Sequence, residues 1–429
     1  KPTEFSGYDE FTSKCNVIAL AYDGEFCDVV AVDENPKEDV LVVLDRTPFY
    51  AEAGGQIADT GVIKTETGEL KVLDCRKTAK GFYVHTCTLE KGFVKVMTQG
   101  VAEIDPMIRN SIQRNHTAAH LLQAALRLTL GNHVHQSGSY VAAGRLRFDF
   151  THFTAVTAEE LSKIEAIVNG AILKAIAVET SVMDIDQAKK SGAMALFGEK
   201  YGSVVRVLKI GDVSTELCGG THVKNTSQIG LFRIVSESGV AAGVRRIEAV
   251  TGIGVLQLLQ EKQDTIDEAA KNLKLSNSHE LTAKTLSMML DMKAMQSEIE
   301  SLKAEVAKGQ IAGLFENPID VAGLKVFTGY FGGTSGDALR QMCSMIRDKV
   351  SCCVAVLCGE QDGKVTIAAM CGAETIEKGI KAGALVKAVA AVTGGSGGGK
   401  PDFAMAGVKD VNLVDEALAK VPEIIKTLL

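Results

Sequence analysis

Up to about residue 105 the chain alternates short aliphatic runs with polar turns. Val17-Ile18-Ala19-Leu20, Asp28-Val29-Val30-Ala31-Val32, Val40-Leu41-Val42-Val43-Leu44 and Val94-Lys95-Val96 are brief and β-rich, and Asp23-Gly24 and Thr67-Gly68 separate them. Strands of this length broken by such turns predict a small β-barrel. The stretch from Pro48 to Gly55 reads as a loop in which Gly54 and Gly55 allow a close approach to a ligand. A plain barrel turn is the alternative.

The period then changes. Asn110 or Ser111 is expected to cap a helix that runs to about Leu130 and stops at Gly131. Ile112, Ala119, Leu122 and Leu126 would form its inner side. Strands are expected near His133 to Val141 and Leu146 to Phe150. Thr157 with Glu160 forms a capping box for a helix through about Ala177. Further strands are expected at Val178 to Met183, Val204 to Ile210, Leu231 to Ser236 and Val244 to Val250. Helices on a largely antiparallel sheet make this an α+β layer.

From Gly254 the apolar positions are helix-spaced: Val255, Leu259, Ile266, Ala269 and Leu273. After Ser276-Asn277-Ser278, the positions Leu281, Met288, Met292, Met295, Ile299, Leu302 and Val306 step by three and four, with Thr285 polar. That is a heptad seam, read as a helical hairpin or coiled coil ended by Gly309 and Gly313. A methionine-rich seam specifies its partner poorly. Residues from about 320 onward alternate strand and helix and look like a separate α/β domain. The expected fold class is therefore α+β. It comprises a β-barrel over 1–105, a core over 106–252, a helical hairpin over 253–312 and a C-terminal α/β domain over 313–429.

Composition narrows the setting. At 429 residues, 46% of them hydrophobic, the chain supports several sizeable cores, and no apolar run is long enough to span a bilayer. Ten cysteines lie scattered, and Cys352, Cys353 and Cys358 sit in one apolar run. Free thiols in a buried strand imply a reducing compartment, so the cytoplasm is expected. A net charge of -7 argues against a dedicated nucleic-acid binder but leaves room for a local basic patch.

Candidate chemistry centres on two stretches. Asn115-His116-Thr117-Ala118-Ala119-His120 places two histidines at i and i+4 on one helix face. Glu216-Leu217-Cys218-Gly219-Gly220-Thr221-His222 places a cysteine and a histidine four apart around a Gly-Gly turn. Either pair alone most often coordinates nothing. Together they form the pattern of a zinc site with His116, His120, Cys218 and His222 as ligands. A zincin protease would need a glutamate where Thr117 stands, which argues against that activity. Four protein ligands would close a tetrahedron, as in structural sites, unless one is loose, and Cys218 is the candidate for that. His85, His133, His135, His152 and His279 lack a partner at metal spacing and are read as structural. Gly394-Gly395-Ser396-Gly397-Gly398-Gly399-Lys400 reads either as a backbone that wraps an anion or as a flexible linker.

These residues carry a resemblance. HTAAHLL and CGGTHV resemble the editing domain of the alanyl-tRNA synthetase family and its free-standing relatives. DRTPFYAEAGGQIADTG, HVHQSGSYV, LRFDF, GVRRIEAVTG and GGSGGGKPDFAMAG agree in the same order. The likeness covers the back part of that enzyme. Nothing resembles the aminoacylation domain and the chain begins at Lys1, so a fragment is expected, without ligase activity or ATP binding. The resemblance implies hydrolysis of a seryl or glycyl ester from the 3′ end of alanine tRNA. Zinc would position the substrate or activate water.

Gln136 matches the family's glutamine and would orient a water, although a surface glutamine is the plainer reading. Arg245 and Arg246 would grip terminal phosphates or be paired on the sheet. Ala119 stands where many members carry threonine, which puts discrimination of serine from alanine in doubt. Thr117 is the nearest polar substitute, unless Ala119 merely packs on the barrel. Gly54 and Gly55 would face the substrate. Gly397, Gly398 and Lys400 would belong to a C-terminal domain that contacts the tRNA outer corner and supports a homodimer. No membrane partner is implied. The rival readings are a threonyl-type editing domain and a non-catalytic tRNA-binding and dimerisation module with structural zinc.

Overall fold

A computed structural model of the chain describes residues 1–31, 39–194, 202–361 and 363–429. Val32, expected at the end of a strand, lies outside them. The described residues fall in two units, Lys1–Glu268 and Ala269–Leu429.

The first unit opens with the barrel. Its strands are β1 (Thr12–Tyr22), β2 (Val40–Leu44), β3 (Gly61–Thr65), β4 (Gly68–Lys77), β5 (Tyr83–Lys95) and β6 (Gln99–Ile104). They pair antiparallel in the order β1-β2-β5-β4-β3-β6, and β6 closes back on β1. Alternation decides what faces inward: Val40, Val42 and Leu44 of β2 are buried while Leu41 is exposed. Val17, Leu20, Ile63, Leu70, Val72 and Val94 complete the filling.

Helix α1 (Pro106–Leu130) follows directly. It begins a turn earlier than the Asn110 or Ser111 cap expected. Asp105 is the cap, accepting from the N–H groups of Met107 and Ile108, and Pro106 fits a first turn that needs no donor. The extra turn brings Arg109 into the helix. Gly131 ends it, and the Thr157–Glu160 capping box starts α2 (Ala158–Leu173) as the sequence predicts.

Both helices cover one antiparallel sheet. Its strands β7 (Gln136–Val141), β8 (Leu146–Thr151), β12 (Phe232–Ala241) and β13 (Val244–Thr251) run in the order β7-β8-β13-β12. Leu122, Leu126, Ile164 and Val168 pack there on Phe148, Phe150, Ile247 and Ala249. Each large apolar side chain so buried stabilises the fold by roughly 1.5–3 kcal/mol. A second sheet, β9 (Val178–Asp184), β10 (Val204–Ile210) and β11 (Ser214–Leu217), carries the Cys218 turn at its end.

Two helices, α3 (Ile253–Asn272) and α4 (Leu281–Leu314), stand where the hairpin was expected. Gly309 and Gly313 do not end α4. Ala307 and Ile311 are buried against the second unit's sheet, and that packing carries the helix past both glycines. Met288, Met292, Met295, Ile299, Leu302 and Val306 of the seam are exposed.

The second unit's sheet has the order β14-β15-β16-β17-β19-β18, from β14 (Ile319–Val321), β15 (Leu324–Gly332), β16 (Cys353–Gln361), β17 (Lys364–Cys371), β18 (Ser396–Gly399) and β19 (Phe403–Gly407). Only the β15–β16 pair is parallel. The apolar run of β16 is explained by cover on both faces. Val354, Val356 and Cys358 meet α6 (Ala382–Val392), α7 (Val414–Ala419) and α8 (Val421–Leu428), whereas Cys353, Ala355 and Leu357 meet α5 (Gly336–Lys349). The glycine-rich stretch, expected as an anion-wrapping loop or linker, is instead the edge strand β18. A Cβ at Gly397 would lie 2.3 Å from the Ala406 Cα, and one at Gly399 2.5 Å from the Ala404 Cα, so these glycines serve a close strand pairing.

Candidate metal centre

The two predicted ligand pairs meet in space. His116 and His120 sit one turn apart on α1, with rings 5.4 Å apart and nearly parallel. The Cys218 turn brings the His222 ring to 4.4 Å from His116 and 5.1 Å from His120. One donor atom from each of the four residues lies within 4.8 Å of all the others. The Cys218 Sγ is 3.5 Å from His116 Nε2 and 3.2 Å from His222 Nε2. Tetrahedral bonds of about 2.0–2.3 Å place neighbouring ligand atoms about 3.3–3.8 Å apart, so the spacing suits zinc. Among the described residues no other group of this kind occurs.

The opposite edge of each imidazole is held. His116 Nδ1 lies 2.8 Å from Gln56 Oε1, and His120 Nδ1 lies 2.8 Å from Glu216 Oε2. His222 Nδ1 is 3.3 Å from Thr117 Oγ1. Thr117 donates its hydroxyl proton to the Gln113 carbonyl and accepts from the Val223 N–H, so it accepts from His222 as well. A histidine that gives its Nδ1 proton to such a partner keeps its Nε2 lone pair for a metal. His120 Nε2 supplies the fit test: it is buried and has no hydrogen-bond partner in the protein. An orphaned buried nitrogen aimed at a thiolate and two further imidazoles is what a divalent soft or borderline ion would satisfy.

Charge points the same way. Burial opposes ionisation of Cys218, yet His116, His222 and His120 around it outweigh burial and hold the thiol well below its ordinary range. Burial brings His222 down to about 3. Burial also acts on His120, but Glu216 and Cys218 outweigh it and raise the imidazole to about 10. A metal would displace that proton, with the charges of Cys218 and Glu216 balancing a divalent cation.

His116, His120 and Cys218 of the cluster line a cavity of about 210 Å³. Gly54, Ala119 and Gln136 line it as well, together with Tyr50, Ser139 and Phe148. His116, His120 and His222 are buried, whereas Cys218 is partly exposed. The structure thus brings together the four ligand candidates, Gln136, Ala119 and Gly54.

The remaining candidates stand elsewhere. Thr117 is fully buried, contacts His222 Nδ1 and does not line the cavity. Gly55 faces the backbone of β7: its φ is +82°, and a Cβ there would meet the Ser139 carbonyl at 2.4 Å. Arg245 forms a two-point pair with Glu237, and Arg246 does the same with Asp149. Both guanidiniums are thereby committed on the sheet, the second of the two readings above. In the second unit, Gly398 and Lys400 edge a cavity of about 380 Å³ together with Arg340 and Arg347, and Gly397 is paired within the sheet.

Sequence reasoning missed Gln56, Glu216, Tyr8 and Arg206. The last two hold the ligand turn from outside. Arg206 Nη1 donates to the Gly220 carbonyl at 2.6 Å, and the Tyr8 hydroxyl donates to the Gly219 carbonyl at 2.7 Å. The Arg206 guanidinium lies 4.1 Å over the Tyr8 ring. Only Glu216, two residues before Cys218, offered a local signal.

Gly220 is required for a steric reason. A Cβ there would lie 2.1 Å from the His116 ring and 2.9 Å from Gln56 Oε1. Gly220→Ala should therefore push His116 out of the cluster and weaken zinc binding at least about tenfold, read by competition with a chromophoric chelator. Unchanged affinity would mean that His116 does not bind the ion.

A family model described as tRNA synthetases class II (A) matches residues 1–108. One described as the threonyl and alanyl tRNA synthetase second additional domain matches residues 205–248, which include Cys218 and His222. The DHHA1 domain model matches residues 323–427. The alanine–tRNA ligase of Acetivibrio thermocellus is 46% identical over 428 residues, 100% of this chain and 48% of that protein. That of Geobacillus kaustophilus is 46% identical over 425 residues, 99% of this chain and 47% of that protein. Among solved structures, the C-Ala domain of Aquifex aeolicus alanyl-tRNA synthetase is similar at 24% identity and a TM-score of 0.24, covering 25% of this chain and 97% of that one. The chain spans about half the length of the curated relatives it matches. With three domain models in order and near-half identity along its whole length, it belongs to the alanyl-tRNA synthetase family.

Proposed function

We propose that this chain hydrolyses wrongly attached amino acids, serine or glycine, from the 3′ end of alanine tRNA. The observation that carries the reading is the cavity in which His116, His120 and Cys218, clustered with His222, meet Gln136 and Ala119. The four clustered residues would hold zinc, which when bound polarises an ester or acidifies a water. Cys218, the most exposed of the four, is the ligand that would yield to substrate. The Gln136 amide both donates and accepts, so it can orient a water or the ester without changing charge. Tyr50 and Phe148 give the cavity apolar walls, and its small volume suits a small amino acid.

Partners belong to the same proposal. The 3′ end of alanine tRNA would enter this cavity, and the tRNA outer corner would meet the second unit, where Arg340, Arg347 and Lys400 edge one cavity. The exposed methionine-rich seam of α4 would support a homodimer. Cytoplasmic residence fits ten free cysteines, and among the described residues no helix is long and apolar enough to cross a membrane.

Selectivity provides the test. Ala119 presents only a methyl to the cavity, and size alone separates a hydroxyl from a hydrogen by about a hundredfold at best. With Thr117 turned away, no hydroxyl from α1 replaces it. The wild type should hydrolyse seryl esters of alanine tRNA and also some alanyl ester, and Ala119→Thr should change the ratio of the two rates. An unchanged ratio removes Ala119 from selectivity. No hydrolysis of the seryl ester at all would favour the rival reading, a closed four-ligand zinc site in a tRNA-binding module.

A further inference from the structure

Gln56 comes from the barrel, not from the elements that carry the ligands, and its side chain is wholly buried. Its oxygen lies 2.8 Å from His116 Nδ1 and accepts from the Thr221 N–H at 2.9 Å. Its Nε2 donates to Thr221 Oγ1 at 3.0 Å. The assignment is forced by chemistry. A backbone N–H can only donate, so the atom facing Thr221 N is the amide oxygen. That oxygen cannot donate, so His116 carries its proton on Nδ1. Its Nε2, 3.5 Å from Cys218 Sγ, is the nitrogen left to meet a metal.

The backbone around Gln56 leaves the side chain little freedom. Gln56 and Ala53 exchange two backbone hydrogen bonds, and Ile57 N–H and Gly55 C=O pair with Val141 on β7. The loop is also held at Asp59, which accepts from the Tyr50 N–H at 2.7 Å and pairs with Arg109.

We propose that Gln56 is a positioning residue that presets His116 for a metal ion and ties it to the Thr221 turn, so that the barrel loop and the metal centre order each other. The inference rests on His116 being a metal ligand. It does not depend on which ester, if any, is cleaved. By linkage, what the loop does for the metal, the metal must do for the loop.

The full chain tests this with zinc alone as the probe. Gln56→Leu removes both acceptance and donation and should weaken zinc binding about 10–100-fold, measured by chelator competition. Gln56→Glu keeps an oxygen that can accept from His116 and Thr221, and should bind zinc close to wild type. Cobalt in place of zinc should give a thiolate charge-transfer band that is altered in the leucine variant and retained in the glutamate one. In the wild type, zinc should slow amide hydrogen exchange across residues 53–57, a measurement that stands even if the leucine variant fails to fold. Equal zinc affinity of wild type and Gln56→Leu, equal losses in both variants, or exchange over 53–57 indifferent to zinc would each overturn the proposal. A wild type that leaves seryl esters intact yet shows the Gln56 dependence would sink the editing reading alone.

Discussion

Replacing Arg109 with alanine should destabilise the first unit by about 3–5 kcal/mol, the cost of leaving a buried partner charge uncompensated. The Arg109 side chain is 0% exposed and that of Asp59 is 1% exposed. The guanidinium donates through Nε to Asp59 Oδ1 at 2.8 Å and through Nη2 to Asp59 Oδ2 and the Pro48 carbonyl, while Nη1 reaches the Gly7 carbonyl. Alanine would leave the Asp59 carboxylate and the Gly7 and Pro48 carbonyls without these donors. Urea unfolding of the full chain, with zinc held constant, should show an earlier first transition. Asp59→Asn added to Arg109→Met should cost less than the two single changes combined, because no unpaired charge remains. A shift below about 1 kcal/mol for Arg109→Ala would mean that the pair is not the clamp it looks to be.

The second large effect concerns the metal. The wild type should hold one zinc per chain, and His116→Ala with His120→Ala should hold none after dialysis, since Cys218 and His222 alone supply half a tetrahedron. Metal analysis decides it, and undiminished zinc would move the site elsewhere. Stability should follow. A ligand at about a thousand times its dissociation constant stabilises the state that binds it by about 4 kcal/mol. A chelator should therefore lower the wild-type melting temperature and leave that of the double variant unmoved. Melting curves that respond alike to the chelator would uncouple the ion from the fold.

The sequence by itself determined whatever a local period can carry. Alternation along β2 places Val40, Val42 and Leu44 inside the barrel. Helical spacing puts His116 beside His120, and a four-residue turn puts Cys218 beside His222. Thr157 and Glu160 cap α2 through groups three residues apart. In each case the partners lie within a turn of one another, so backbone geometry alone sets the contact.

Only the tertiary structure decided what those groups do. Gln56 reaches His116 across 60 residues, Glu216 reaches His120 across 96, and Gln56 reaches Thr221 across 165. No spacing rule spans such distances, so the contacts that fix the His116 and His120 imidazoles stayed hidden. Thr117 sits beside a ligand candidate in sequence, yet the helix turns it toward His222 Nδ1 and away from the cavity. Arg245 and Arg246 look free for phosphate until β12 and β8 supply Glu237 and Asp149. The glycines before Lys400 suit a loop and a tight strand pair equally, because lack of a side chain permits both, and it is the approach of Ala404 and Ala406 on β19 that selects the strand.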